Sequence, residues 1–204
     1  MAEPRTQAVT STTYDRPSTA GRDRSEYWKA AESYRDFLAT VRSYEELWKS
    51  TYERALVPLG TLHRLRALRH AWNLLVVSAD WCIDAPPVTG PLARMTDDVA
   101  GLELRQLDRD CHVDLIDEHL TGGRSRSIPI VILLDDRCIE RAWWGPRPAP
   151  LQAWWLREGR ALPSGDRYRF SRQWMARDRG QTTLEEIVSM IERADARRPP
   201  TTPG

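Results

Sequence analysis

The chain has 204 residues, 41% of them hydrophobic, enough to bury one compact core and too many for a mini-protein held together by disulfides. Thirty Lys and Arg against 29 Asp and Glu leave a formal net charge of +1, so the broad electrostatic attraction that nucleic acid or an anionic membrane requires is missing, and neither partner is expected. The three cysteines, 82, 111 and 138, make no paired framework, which implies a reducing, cytoplasmic setting and directs attention to a reactive thiol.

Residues 1–24 are rich in Ser, Thr, Pro and charge and hold no apolar run, so they are expected to be a disordered leader. No secretory signal or membrane span is visible. The ordered domain is expected over residues 25–195. Tyr27, Ala31, Tyr34, Leu38 and Val41 recur at helical spacing. Ser43 and Glu46 form a capping-box pattern that opens a second helix through Tyr44, Leu47, Trp48, Tyr52 and Ala55. After Pro58 and Gly60, a third helical segment carries Leu62, Leu65, Leu68 and Trp72. Its His63, Arg64, Arg66, Arg69 and His70 read more simply as a solvated basic face than as an anion site.

The texture then changes to short apolar runs. Leu74-Leu75-Val76-Val77 is continuous, as expected of a strand covered on both faces. A Pro-broken helix follows over 85–98, then a strand marked by Leu102, Leu104 and Leu107. Asp110 is placed to cap a helix carrying Val113, Ile116 and Leu120. Ile130 to Leu134 forms a third strand, which turns at Asp135-Asp136-Arg137 into a hairpin with Cys138 to Trp144. Trp154, Trp155 and Leu156 sit in a later helix, and Leu184, Ile187, Val188 and Ile191 stripe the last one, opened by Thr183 and Glu186. Residues 196–204 read as a disordered tail. The order β-α-β-α-β-β defines an α/β fold: a central sheet of about four strands, flanking helices, a helical N-terminal extension and extra C-terminal helices.

Cys82 falls where the first strand ends and a helix begins, so the free N–H groups and dipole of the helix favour its thiolate. In open α/β sheets, ligands bind beyond the carboxyl ends of strands. Ala79-Asp80-Trp81-Cys82 at this position, with Ser127-Ile128-Pro129 before the third strand, resembles the thioredoxin superfamily. The nearest pattern is a bacterial thioredoxin-like family that reads Trp-Cys-Gly-Asp, then Gly-Gly-Arg-Ser-Ile-Pro, then Trp-Gly-Pro-Arg-Pro. The corresponding stretches here are Trp81-Cys82-Ile83-Asp84, Gly122 to Pro129, and Trp144-Gly145-Pro146-Arg147-Pro148. The resemblance implies a thioredoxin-like fold with a mixed sheet and a reactive sulfur at Cys82. It also implies a cis-proline at Pro129 and a cleft formed by Trp81, Ile83, Asp84, Ala85, Ile128 and Pro129.

Four departures accompany the matches. Ala85 stands where dithiol members carry the resolving cysteine, so the local release of a mixed disulfide is missing. Val76 stands where many thioredoxins hold a buried acid, and Ile83 replaces a glycine beside the sulfur. Asp84 is negative and opposes the thiolate that the helix end promotes.

Two functions follow for the cleft. In the first, Cys82 is a monothiol redox site that attacks disulfides or glutathione adducts and is resolved by protein or glutathione thiols. Cys111 is the candidate internal resolver, provided its Cα lies within about 7 Å of that of Cys82. In the second, the protein is catalytically inactive and binds a peptide or protein partner in the Trp81/Pro129 cleft by backbone hydrogen bonding. No cofactor or metal is expected, because Asp80, Cys82, Asp84, Cys111 and His112 lack the spacing of paired ligands. His63, His70 and His119 have no partner pattern, and no Gly-x-Ser-x-Gly elbow supports a hydrolase. Cys138 reads as packing. Trp143, Trp144, Trp154, Trp155 and Trp174, interspersed with Arg141, Arg147, Arg157 and Arg172, read as packing of the C-terminal helices onto the sheet rather than as a stacking surface for bases or sugars.

Overall fold

The computed structural model describes residues 13–15 and 17–199. In chain order the elements are β1 (Thr13–Asp15), α1 (Ser25–Ala30), β2 (Glu32–Ser33), α2 (Tyr34–Thr40), α3 (Glu45–Glu53), α4 (Leu59–Arg66), β3 (Trp72–Ser78) and α5 (Pro86–Asp97). They continue with β4 (Leu102–Asp108), α6 (Val113–Asp117), β5 (Ile130–Asp135), β6 (Glu140–Trp144), α7 (Ala149–Arg157), α8 (Ser164–Asp178) and α9 (Gln181–Arg197).

Six strands form one mixed sheet in the order β1-β6-β5-β3-β4-β2. The four expected strands are its centre: β3 is parallel to β4 and antiparallel to β5, and β5 is antiparallel to β6. Leu74, Leu75, Val76 and Val77 in β3 and Ile130 to Leu134 in β5 are wholly buried, which is why these strands read as continuous apolar runs instead of alternating ones. The two short outer strands carry no apolar run and escape detection from sequence. Helix α5 packs against α3 and α9, and α4 against α9. Gly90 permits the α5–α3 contact, since a Cβ there would meet the Thr51 carbonyl carbon and the Tyr52 nitrogen at 2.8 Å.

Several local expectations change. The first helical stretch splits into α1 and α2, because Glu32 and Ser33 leave the helix to pair with Gln106 and Arg105 of β4. Helix α3 has no capping box: Tyr44, at φ 55°, precedes it without a side-chain cap, and the Ser43 N–H donates instead to Asp80 Oδ2 at 3.2 Å. The third helix stops at Arg66, and Trp72 opens β3. Helix α9 starts at Gln181 behind Gly180, so Thr183 is buried inside it rather than capping it.

Part of the expected leader is built into the fold. β1 pairs with β6, and Thr19 and Arg24 are buried. Composition conceals this because polar contacts hold the segment. Thr19 Oγ1 donates to Glu140 Oε1 at 2.5 Å, and Arg24 Nε donates to Glu140 Oε2 at 2.8 Å. Residues 1–12 and 16 lie outside the described residues. At the other end, α9 runs into the expected tail as far as Arg197, and His70 Nε2 donates to the Pro199 carbonyl at 2.9 Å. Residues 200–204 lie outside the described residues. Among the described residues, no helix is long and apolar enough to cross a membrane.

Candidate functional site

The parallel pair β3 and β4 ends at one rim of the sheet, and there β3 runs directly into the turn that carries Trp81 to Ala85 and starts α5. The turn is closed by its own backbone: the Cys82 N–H donates to the Ala79 carbonyl and the Ala85 N–H to the Cys82 carbonyl, each at 3.0 Å. Asp80 anchors it from outside, since its carboxylate accepts the Arg42 and Ser43 N–H groups and its carbonyl accepts Trp48 Nε1–H at 3.0 Å. Asp80 is therefore a framework residue that ties the N-terminal helices to the turn.

Cys82 is buried, and its Sγ lies 3.7 Å from the carbonyl oxygen of Ile128, which accepts the thiol hydrogen. The Ile128–Pro129 peptide is cis. Trp81 is the sole exposed member of the nine tryptophans, at 46%. Its Nε1–H donates to Asp110 Oδ2 at 2.9 Å, and the Arg109 guanidinium lies 4.7 Å above its ring. Asp110 thus holds Trp81 and does not cap a helix; His112 occupies the cap position of α6. Ala85 is fully buried at the start of α5, and Val76 is fully buried in β3. Cys82 thus lies against the carbonyl that precedes the cis-proline, while Trp81, the residue before the cysteine, faces Asp110 and Arg109.

Cys111 is not joined to them. It is exposed, whereas Cys82 is buried, and all three cysteines are free thiols. Cys138 sits in the β5–β6 turn at φ 61° and packs partly against the core, away from the rim. Among the described residues, no group of three or more His, Cys, Asp or Glu is arranged to hold a metal.

Sequence reasoning missed what Arg147 does. Arg147 Nη2 donates to Asp84 Oδ2 at 3.4 Å, and its guanidinium stacks 3.7 Å over Trp155. The Trp144 to Pro148 segment delivers it. Trp144 Nε1 donates to Glu186 Oε2 at 2.6 Å and the Ala149 N–H to Glu186 Oε1 at 2.8 Å, which fixes the segment to α9. Between them, Gly145 adopts φ +140°, where a Cβ would lie 2.7 Å from the Pro129 carbonyl oxygen and 3.0 Å from Ile130 Cα. The ordered landmarks were visible in sequence. The signal that could have located Arg147 was a charged residue inside one landmark matching an opposite charge inside another.

These groups set the state of Cys82. Burial first, and the Asp84 charge second, push its thiol up to about 11, against the backbone N–H groups of Asp84 and Ala85 and the Arg147 charge, which favour the thiolate. Burial likewise lowers Arg147 against the pull of Asp84. The competition foreseen between helix end and carboxylate is therefore decided by burial together with Asp84. At rest the sulfur is a neutral thiol bonded to a carbonyl.

The tryptophan–arginine mix beyond the hairpin packs onto itself. Trp154 stacks on Phe170 at 3.8 Å, and the guanidiniums of Arg147 and Arg167 lie 3.7 and 4.9 Å from the centre of the Trp155 ring.

A family model described as thioredoxin matches residues 31–162. No curated protein matches the chain. Two solved structures are similar in fold. One is the 1.5 Å crystal structure of a protein of unknown function from Pseudomonas aeruginosa, 18% identical, with a TM-score of 0.66 over 85% of this chain and 99% of that one. The other is an HIV epitope-scaffold, 16% identical, with a TM-score of 0.64 over 84% of this chain and 99% of that one.

Proposed function

Because the chain belongs to the thioredoxin family, with the matched region spanning β3 to β6, we propose that it holds an extended segment of a protein partner in the cleft between Trp81 and the Ile128–Pro129 loop, without dithiol turnover. The observation that carries this reading is the buried, neutral Cys82 thiol, pushed up to about 11 and bonded to the Ile128 carbonyl. Such a thiol is a poor resting nucleophile. With the thiol raised from 9.0 to about 11, the thiolate fraction at neutral pH falls about 100-fold, and the higher intrinsic nucleophilicity of a more basic sulfur restores only about 8-fold of that. Ala85 leaves no local thiol for the second step.

The cleft offers what an extended chain needs. Trp81 presents an exposed aromatic face, and the Ile128 N–H makes no hydrogen bond among the described residues, so it is a free donor next to the sheet.

Monothiol exchange is the second reading, favoured by one observation: the Asp84 and Ala85 N–H groups and Arg147 all act on the sulfur in the direction of the thiolate. A bound partner that displaced the Asp84 charge would activate Cys82, and an external thiol would then resolve the mixed disulfide.

The two separate in one experiment. The native chain, Cys82→Ser and Trp81→Ala are used to capture partners, and the captured segment is re-tested as a synthetic peptide. Binding retained by Cys82→Ser and lost by Trp81→Ala is expected. Partners held only through a reductant-sensitive bond and absent from Cys82→Ser would replace the binding reading with monothiol exchange.

A further inference from the structure

Helix α3, the loop after it, the turn before α5, the start of α5 and α8 border an open groove of about 940 Å³. Its lining is largely aliphatic, including Leu47, Val57, Pro87, Pro91 and Met175. Three arginines, Arg54, Arg172 and Arg179, also border it. The side chains of these three make no ion pair or hydrogen bond among the described residues, in a protein where many other arginines do. The one carboxylate in the lining, Asp84, is already held by Arg147. Arg179 is moreover kept at φ 54°, a left-handed conformation unfavourable for a residue other than glycine, in the turn that closes α8.

We propose that this groove binds an anionic amphiphile: an aliphatic chain of about a dozen carbons ending in one carboxylate, with the chain along the aliphatic lining and the carboxylate against the arginines. The volume is that of sites which enclose small molecules, about 300–1,000 Å³, and helices wall it on several sides, whereas protein-binding faces are flatter. An apolar lining alone would accept any oily molecule. Unpaired guanidiniums select a planar anion, which they grip in a bidentate manner. The net charge of the lining, three arginines against Asp84, has the matching sign. Ile83, directly after Cys82, also lines the groove, so the ligand reaches the back of the cleft turn without using the sulfur. The inference requires no chemistry at Cys82 and is independent of the partner-binding reading.

Calorimetric titration of the full chain with dodecanoate below its micelle concentration tests it. One saturable site per chain is expected. Octanoate should bind at least about tenfold more weakly, since each buried methylene contributes up to about fourfold. Arg172→Glu and Arg179→Glu should each weaken dodecanoate about tenfold or more. Ala176→Trp, which adds bulk in the groove from an exposed helix position, should abolish binding while circular dichroism stays unchanged. Dodecanol bound as tightly as dodecanoate, or binding indifferent to Ala176→Trp, would overturn the proposal. So would absence of dodecanoate binding together with binding of an acidic amphipathic peptide, or a dimer in light scattering that Ala176→Trp dissociates. Those two outcomes would assign the groove to a protein segment or to a second copy.

Discussion

Arg147 reaches from the loop after β6 to within 3.4 Å of Asp84 on the turn before α5, and this pair stands beside the Cys82 sulfur. Both partners are largely buried, with side chains 10% and 13% exposed, so their mutual attraction is little weakened by water. The two charges act on the thiol in opposite directions: Asp84 raises it and Arg147 lowers it. Alkylation of Cys82 by iodoacetamide in the folded chain should therefore rise with pH toward a midpoint near 11, well above that of an ordinary thiol. Asp84→Asn should move the midpoint down and Arg147→Leu should move it up. A native midpoint near 8.5 would remove the basis for a neutral resting thiol.

Ala85→Cys restores the spacing of a dithiol site, since the Ala85 N–H already bonds to the Cys82 carbonyl at 3.0 Å in the first turn. Insulin reduction coupled to an external dithiol should be near background in the native chain and clearly measurable in the variant. Mass spectrometry of the oxidised variant should show a bridge between the introduced thiol and Cys82.

Gly145→Ala should cost about 3 kcal/mol, because φ +140° disfavours any side chain and the added Cβ meets the Pro129 carbonyl oxygen at 2.7 Å. Gly60→Ala is the matched control: nothing lies within 4 Å of its Cβ position in α4, so its effect should stay within about 1 kcal/mol and favour the folded state. Urea denaturation of both variants measures the difference.

Glu140 is fully buried and accepts from Thr19, Arg24 and His119. Burial alone would raise its carboxyl, but the hydrogen bonds and charges of these partners hold it below the usual range. The stability it contributes is complete above the unfolded glutamate value of about 4.3 and is lost as the pH falls through its lower folded value. Glu140→Gln should cost about 3 kcal/mol at pH 7, because the buried Arg24 loses one of its two carboxylate partners. In urea melts, the gap between native chain and variant should narrow as the pH drops from 5 to 3.

Much of this architecture was legible from the chain alone, and the parts that were not share a cause. β3 and β5 announced themselves because full burial demands unbroken apolar runs, and Cys82 and Pro129 because their flanking residues form recognisable ordered landmarks. β2 was hidden inside a helical pattern, since Ala31 and Tyr34 keep helical spacing while Glu32 and Ser33 leave the helix to bond to β4. Ser43 and Thr183 had the right neighbours for caps. A distant carboxylate takes the Ser43 N–H, and Thr183 lies buried within α9 behind Gly180. The role of Arg147 was missed because its partner is 63 residues away, so that only a match of charges between two separate landmarks, and no local pattern, points to the pair.

The shortest strands have a bearing on how copies of this chain behave when crowded together. A sheet whose inner strands are this apolar is open to growth by lateral addition wherever backbone donors and acceptors remain bare. Here β1 lies along β6 and β2 along β4, so the outermost positions belong to three and two residues respectively, Thr-Tyr-Asp and Glu-Ser. Removal of residues 1–24 would strip β1 from the flank of Trp143 and Trp144, and concentrated solutions of the shortened protein should self-associate through that exposed margin.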